Sequence, residues 1–166
     1  VRLHGNNPAL GDGHFLDEAV AAGLEVMASI GNFPYTSTPG GCKATGFDCY
    51  QQVKGHHAHS LQRGFVRGDK TYHPALRTII LIDEPDRQLG PSAVPADFCR
   101  ALVSALDAVL DVEREAGVVG QLPNITATFS FGVCPQCARF GYRPAIGQML
   151  ELRHAMKHPE SVGYQA

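Results

Sequence analysis

Residues 78–82 read TIILI, and Asp83, Glu84 and Pro85 follow them directly. The run is β-branched and aliphatic, and it does not alternate between apolar and polar residues. A strand without alternation is buried on both faces, which is typical of a parallel sheet that is covered by helices. We therefore predict that this stretch is an interior strand of an α/β fold.

The segments on either side of this strand alternate between strand and helix patterns. The clearest helix pattern is an apolar stripe through Phe98, Leu102, Leu106, Val109 and Leu110. Strands are predicted at 1–3, 24–30, 78–82 and 125–133, helices at 15–22, 48–65 and 95–117, and a further strand at 161–164. This alternation implies parallel pairing through right-handed crossovers, so the predicted fold class is α/β.

The composition is that of a globular chain. Its 166 residues are 44% hydrophobic and 18% charged, with 14 Lys and Arg against 16 Asp and Glu. Disorder needs low apolar content with high net charge, and collagen needs glycine at every third position, so neither class fits. Nucleic acid is not expected as a partner because there is no basic stripe, and no apolar run approaches the roughly 20 residues of a membrane span.

The length fits one domain, residues 1–166, with a sizeable apolar core. No linker, low-complexity segment or fixed-period repeat divides it. The sequence opens with Val1 inside a predicted strand and shows no signal peptide. We therefore expect a processed piece or a fragment of a longer polypeptide.

Acidic residues follow the central strand at 83, 84 and 86. In parallel α/β folds the reactive groups gather at the carboxyl ends of the strands, because the loops converge there. Asp83 and Glu84 are not expected to act as one facing pair, since consecutive strand residues point to opposite sides. The structural alternative for this cluster is a solvated acidic turn.

The sequence from Ile82 to Pro85 resembles the Asn-Glu-Pro signature of a large clan of (β/α)8-barrel glycoside hydrolases that cleave with retention. Residues 1–5 resemble the clan's second strand, residues 23–27 its helix-to-third-strand junction, and residues 125–131 its fifth strand. The resemblance covers nearly all of the chain but only the central part of a barrel, about its second to sixth strands. It implies a partial TIM-barrel-like fold, completed by the remainder of the polypeptide or by a further protein chain, and a polysaccharide or glycan as partner.

The resemblance also implies roles for the acidic residues. Glu84 would be the general acid/base, and Asp83 would contact the sugar 2-hydroxyl. A retaining enzyme needs a second carboxylate about 5 to 5.5 Å from the first. In the clan it comes from the seventh strand, which this chain does not reach, because a whole barrel takes about 250 residues. Asp83 departs from the clan's Asn, and an ionised carboxylate only accepts hydrogen bonds.

The missing carboxylate and the Asn-to-Asp departure keep a second function open. This is a non-catalytic carbohydrate-binding or structural protein on a degenerate glycosidase barrel. Neither function requires a cofactor, and none is expected.

Four further residues are candidates for substrate binding. Arg2, at the end of a predicted strand, would hold the catalytic carboxylate or a substrate hydroxyl through charge-assisted bonds, or form an ion pair at the sheet edge. His4 follows it. Asn32 and Tyr35 come after the second predicted strand and would supply a polar contact and a ring at the barrel mouth, or simply pack a loop.

The cysteines bear on the compartment. Cys42 and Cys49 have six residues between them in a long loop that a disulfide would restrain. Cys134 and Cys137 form a C-P-Q-C pair that fits a local disulfide, a redox pair or half a zinc site, and Cys99 reads as a buried apolar residue. With the glycosylation sequon at Asn124, these cysteines favour a secreted, extracellular or lumenal protein.

A third function would be metal binding by neutral imidazoles and thiolates. The residues that would contribute are His56, His57, His59, His73, Cys134 and Cys137. Their spacing matches no established ligand pattern, and a helix surface that carries several histidines is the commoner arrangement. We therefore predict no metal site.

Overall fold

The structure, a computed structural model, describes residues 1–3, 10–37, 40–84, 95–128 and 152–165. Its strands form one sheet in which every pairing is parallel. In sheet order the strands are β1 (Arg2–Leu3), β2 (Val26–Ser29), β3 (Leu76–Asp83) and β4 (Asn124–Thr128). The predicted α/β class with parallel strands is therefore confirmed.

Helices separate the strands along the chain. The longer ones are α1 (Gly13–Ala21), α2 (Tyr50–Ser60) and α3 (Pro95–Ala116), and residues 152–155 are also helical. Short π-helical segments cover Phe33–Ser37 and Leu61–Phe65. Across the described ranges, no helix is both long enough and apolar enough to cross a membrane.

The strand predicted at 161–164 is wrong. A 3-10 helix covers Pro159–Val162 instead. Proline fixes its own φ near the helical value, which favours a helical turn at this point. Gly163 ends the turn with a φ of 71°, in the left-handed region that glycine adopts without strain.

The pairing register assigns residues to the two faces of the sheet, because paired residues of parallel strands point the same way. One row consists of Leu3, Ala28, Ile79 and Ile125. Ala28 and Ile79 belong to the main apolar core, and Leu3 and Ile125 pack against it. Leu16 of α1, Val53 of α2 and Phe98 of α3 belong to the same core. The three helices therefore lie on the same face of the sheet.

The opposite face of the sheet is more polar. Its two rows are Arg2, Met27, Thr78 and Asn124, followed by Ser29, Ile80 and Thr126. Ile79 and Ile80 belong to different faces, and both are 0% exposed. The prediction that this strand is buried on both sides is therefore confirmed.

The apolar stripe of α3 follows the predicted spacing with one exception. Phe98, Leu102 and Val109 are buried, but Leu110 is 45% exposed. Val112 is buried in its place and continues the i, i+3 spacing from Val109. Leu110 lies on the outer surface of the helix.

The helix predicted at 48–65 is interrupted near its end. Arg63 and Gly64 have non-helical backbone angles, with a φ of 128° at Gly64. This break turns the chain so that the carbonyl of Arg63 accepts a 2.9 Å hydrogen bond from the N–H of Asp12, just before α1. The glycine is required here because a side chain rarely adopts such a φ.

The predicted disulfide between Cys42 and Cys49 is confirmed. Both cysteines are fully buried, and the N–H of Cys49 donates to the hydroxyl oxygen of Ser104 at 2.9 Å. The disulfide loop is thereby joined to α3. Cys99 is free and buried in α3, as expected, whereas Cys134 and Cys137 lie outside the described residues.

Candidate functional site

The carboxyl ends of the parallel strands share one edge of the sheet, and the acidic residues lie at this edge. Asp83 is the last residue of β3, and Glu84 follows it. Between Ile80 and Asp83 the pairing with β4 shifts register, so that β3 carries one residue more than its neighbour. Such bulges redirect the side chains that follow them and are common beside active sites.

Asp83 is bound from two other strands. The guanidinium of Arg2, on β1, forms an ion pair and a hydrogen bond with Asp83 Oδ1. The hydroxyl of Thr128, at the end of β4, donates to the same oxygen at 2.6 Å. Because Arg2 and Thr128 come from opposite edges of the sheet, Asp83 connects both edges at this end.

Glu84 has an unusual backbone. Its φ is 56°, in the left-handed region that costs a residue with a Cβ about 1 to 2 kcal/mol. Its N–H donates to the carbonyl oxygen of Thr128 at 3.0 Å and lies 3.3 Å from the Thr128 hydroxyl oxygen. Its side chain is half-buried. Strained residues of this kind cluster at functional sites, where the surrounding structure holds them in place.

Tyr35, one of the predicted substrate-binding residues, is buried in the structure. Tyr35 is 1% exposed, and its hydroxyl donates to the carbonyl oxygen of Leu81 at 2.7 Å. Burial also raises the pKa of Tyr35. In this position the ring packs in the core beneath the end of β3, so the expectation of an open sugar-stacking ring is replaced by a structural role.

Asn32 opens the π-helical segment after β2. Its carbonyl oxygen accepts hydrogen bonds of 3.0 Å from the N–H groups of Tyr35 and Thr36. Its side-chain Oδ1 is shielded and has no hydrogen-bond partner within the described part of the chain. His4, the remaining candidate, lies outside the described residues, as does Pro85.

The histidines form separate contacts. His57 is fully buried, and its Nε2 lies 3.2 Å from the hydroxyl of Tyr72, which donates to the buried carboxylate of Glu113. His73 Nε2 lies 3.1 Å from Asp17 Oδ1. Over the ranges that the structure covers, no three His, Cys, Asp or Glu side chains are arranged to hold a metal ion.

A cleft of about 460 Å³ opens on the helical side of the fold. Within it, the hydroxyl of Tyr50 donates to Asp111 and that of Tyr164 donates to Asp107, each at 2.6 Å. The cleft is lined by Thr45, Asp48, Tyr50, Gln51, Gln52, Asp107, Asp111, Tyr164 and Gln165. These hydrogen bonds pair Asp107 and Asp111 with other residues that line the cleft, and the cleft is not part of the strand-end site.

Sequence reasoning missed Thr128. Nothing in its local sequence sets it apart, because threonine is common in strands and belongs here to no motif. The only available signal was its position near the end of a predicted strand beside the one that carries the acids. Only the pairing of β3 with β4 brings its hydroxyl to Asp83.

The site thus joins Arg2, Asp83, Glu84 and Thr128 at the carboxyl end of the sheet. Comparisons with protein-family models, curated proteins and solved structures found no match for this chain.

Proposed function

We propose that this chain forms part of the wall of a (β/α)8 barrel and acts as a glycoside hydrolase on a polysaccharide. The strand order β1-β2-β3-β4 supports the barrel, because strands follow one another in sequence around a barrel, whereas a doubly wound sheet reverses its order. The placement of all three longer helices against one face agrees with it. The opposite face would line the interior of the barrel.

Glu84 is the proposed general acid/base. The observation that carries this assignment is its left-handed backbone directly after the central strand, held by Thr128 beside an anchored Asp83. A left-handed backbone that is held by hydrogen bonds to a neighbouring strand is typical of functional sites. Its position at the carboxyl edge is also where barrel enzymes collect their reactive groups.

In this mechanism Glu84 protonates the glycosidic oxygen as the bond to the leaving sugar breaks. Asp83 contacts the sugar, with its Oδ1 already engaged by Arg2 and Thr128. Arg2 acts as an orienting residue through Asp83. A second carboxylate would attack the anomeric carbon as this bond breaks, and Glu84 would then take a proton from the water that releases the bound sugar. That carboxylate would come from outside the described residues, from the remainder of the polypeptide or from a further chain that completes the barrel.

The test is hydrolysis of a panel of β-glucans by the natural, full-length polypeptide and its Glu84→Gln variant. Glutamine preserves the shape but cannot donate the acid proton, so kcat is expected to fall about 10²- to 10⁴-fold. Glu18→Gln is the matched control, since Glu18 is exposed on α1. Equal activity of wild type and Glu84→Gln would overturn the acid/base assignment.

A second substrate separates an acid from a nucleophile. The leaving group of an aryl glycoside with a strongly acidic phenol departs without being protonated. If Glu84 is the acid, Glu84→Gln should therefore keep most of the wild-type rate of bond cleavage on such a substrate. If Glu84 were instead the nucleophile, cleavage of both substrates would be lost.

One observation favours the non-catalytic alternative. Among the strand ends that the structure describes, only β3 is followed by carboxylates. If the barrel is degenerate, the full-length protein would bind a β-glucan without releasing reducing sugar, and Glu84→Gln would leave that binding unchanged. Isothermal titration with the same panel distinguishes this outcome from hydrolysis.

We also propose that the protein is secreted or lumenal. The Cys42–Cys49 disulfide supports this, because structural disulfides persist in oxidising compartments. Asn124, in the sequon, is exposed at the start of β4 but lies in the row that would face the interior of the barrel, so the disulfide carries this proposal. Protein recovered from its natural compartment should contain the Cys42–Cys49 bond without added oxidant. Recovery of both cysteines as free thiols would contradict the proposal.

A further inference from the structure

Thr128 contacts both acidic residues of the site. Its hydroxyl donates to Asp83 Oδ1 at 2.6 Å, and its carbonyl oxygen accepts the N–H of Glu84 at 3.0 Å. The hydroxyl oxygen also lies 3.3 Å from the same N–H. One residue of β4 therefore bonds to the side chain of the last residue of β3 and to the backbone of the residue that follows.

These contacts fall where the pairing of the two strands is irregular. Ile80 pairs with Thr126 and Asp83 with Thr128, so three steps on β3 are matched by two on β4. The extra residue of β3 would allow the chain to leave the sheet in more than one direction. Directly after this irregular stretch, Glu84 has its φ of 56° and its N–H donates to the carbonyl oxygen of Thr128.

Arg2 strengthens the same arrangement from the other edge of the sheet. Its guanidinium binds Asp83 Oδ1, the oxygen that accepts the Thr128 hydroxyl. Charge-assisted hydrogen bonds are about twice as strong as neutral ones, so Asp83 is fixed between the two donors. A fixed Asp83 fixes the start of the peptide that continues into Glu84.

We propose that Thr128 is a positioning residue that holds Glu84 in its left-handed conformation and so directs the Glu84 carboxyl group into the site. This inference rests on the proposed role of Glu84 as the acid/base. Thr128 touches no substrate atom in this role and acts only through Asp83 and the backbone of Glu84. Loss of the hydroxyl removes its contacts with Asp83 Oδ1 and with the Glu84 N–H, while the bond from this N–H to the Thr128 carbonyl oxygen remains. The backbone of Glu84 is then held less firmly, and a displacement of its carboxyl group by about 1 Å can cost about 10²-fold in rate.

The test compares Thr128→Val with Thr128→Ser in the full-length protein. Valine keeps the shape and removes the hydroxyl, so kcat on the β-glucan should fall about 10- to 100-fold with KM within about threefold of wild type. Serine keeps the hydroxyl and should restore kcat to within about threefold. A valine variant with wild-type kcat, or a serine variant as slow as valine, would overturn the inference.

Thr126→Val is the matched control. Thr126 lies two residues earlier on β4, and its hydroxyl contacts only the carbonyl oxygen of Ala127, at 3.4 Å, among the contacts described. The same loss of a hydroxyl there should leave kcat unchanged. A rate loss of equal size in both variants would assign the effect to the stability of β4 and would contradict a positioning role for Thr128.

A second measurement separates this inference from the proposed function. The coupling between the amide and α protons of Glu84, and its α-carbon shift, report its φ in the free protein. If the wild type does not hydrolyse glycans but these signals change in Thr128→Val and not in Thr128→Ser, the hydrolase proposal fails and the positioning role stands. If they are unchanged in Thr128→Val, the positioning role fails whether or not the protein is active.

Discussion

The backbone of Gly64 lies directly against the backbone of Gly13. A Cβ built on Gly64 would fall well inside 3.0 Å of both the nitrogen and the α-carbon of Gly13, a distance that real Cβ atoms do not reach. The hydrogen bond from Asp12 to Arg63 runs beside this contact. The start of α1 and the end of the segment after α2 are therefore joined through glycine backbone.

We expect Gly64→Ala to lower the free energy of unfolding by about 3 kcal/mol, because the methyl group must displace backbone and adopt a disfavoured φ. Urea unfolding should show a lower midpoint with an unchanged slope. Gly55→Ala is the control: Gly55 lies within α2 with open space around it, so the alanine should stabilise by about 0.5 to 1 kcal/mol. A Gly64→Ala variant as stable as wild type would contradict the close approach.

The buried hydrogen bond from Tyr72 to Glu113 predicts a loss in Tyr72→Phe. Both residues are buried, and burial with the nearby Glu113 carboxylate raises the pKa of Tyr72. Phenylalanine leaves a buried carboxylate without this donor, which should cost about 2 kcal/mol in thermal unfolding. Tyr164→Phe is the comparison, because its acceptor Asp107 is partly exposed and water can replace the hydroxyl. Equal losses in the two variants would argue against the buried pairing.

The position of His56 predicts a specific pH dependence. Burial, together with a smaller effect of the charges of His57 and His59, lowers the pKa of His56 from 6.5 to about 4. Between these two pH values the unfolded chain binds a proton that the folded chain does not. Stability from this residue is therefore fully present above pH 6.5 and is lost as pH falls toward 4, by up to about 3 kcal/mol.

Urea unfolding at pH 7.0 and 4.5 checks this expectation. The fall in the free energy of unfolding from pH 7.0 to 4.5 should be smaller in His56→Gln than in wild type, because glutamine at this position takes up no proton on unfolding. His14→Gln replaces an exposed histidine and should keep the wild-type difference. If both variants keep it, His56 takes up its proton equally in the folded and unfolded chains.

The Cys42–Cys49 disulfide closes a short loop, so its removal should destabilise the protein by about 2 to 3 kcal/mol. Thermal unfolding of the double variant Cys42→Ala/Cys49→Ala against wild type measures this loss. Trypsin cleaves after Lys43, between the two cysteines, so a linked peptide pair should appear in a non-reduced digest and vanish on reduction. Recovery of both cysteines as alkylated thiols without reductant would contradict the bond.

The left-handed backbone of Glu84 predicts a separation of stability from activity. Glu84→Gly should raise the free energy of unfolding by about 1 kcal/mol because glycine removes the strain, while hydrolysis is lost with the carboxyl group. Lys70→Gly is the matched control, since Lys70 has a φ of 66° in an exposed turn. It should gain similar stability and keep full activity. A large loss of stability in Glu84→Gly but not in Lys70→Gly would mean that the Glu84 side chain stabilises the folded protein, and it would contradict the prediction.

Much of the fold was predictable because it depends on local pattern. The apolar run at 78–82 predicted a strand buried on both faces, and the spacing from Phe98 to Val109 predicted the buried side of α3. Leu110 was predicted to be buried with this stripe but is exposed. Adjacent residues on a helix point about 100° away from each other, and only packing decides which of Val109 and Leu110 faces the core. The strand expected at 161–164 failed because the helical preference of Pro159 and the left-handed Gly163 decided that segment.

The sequence by itself determined the parallel α/β class, the central strand, the acidic residues after it and the short disulfide loop, because each depends on residues close together in the chain. Only the tertiary structure decided that Arg2 and Thr128 meet on Asp83, that Tyr35 packs in the core and that Glu84 has a left-handed backbone. The contacts on Asp83 join residues that are 45 and 81 positions apart in sequence, so the strands that carry them must assemble in one register. That register is set by the packing of the whole sheet against its helices, and no local pattern carries it.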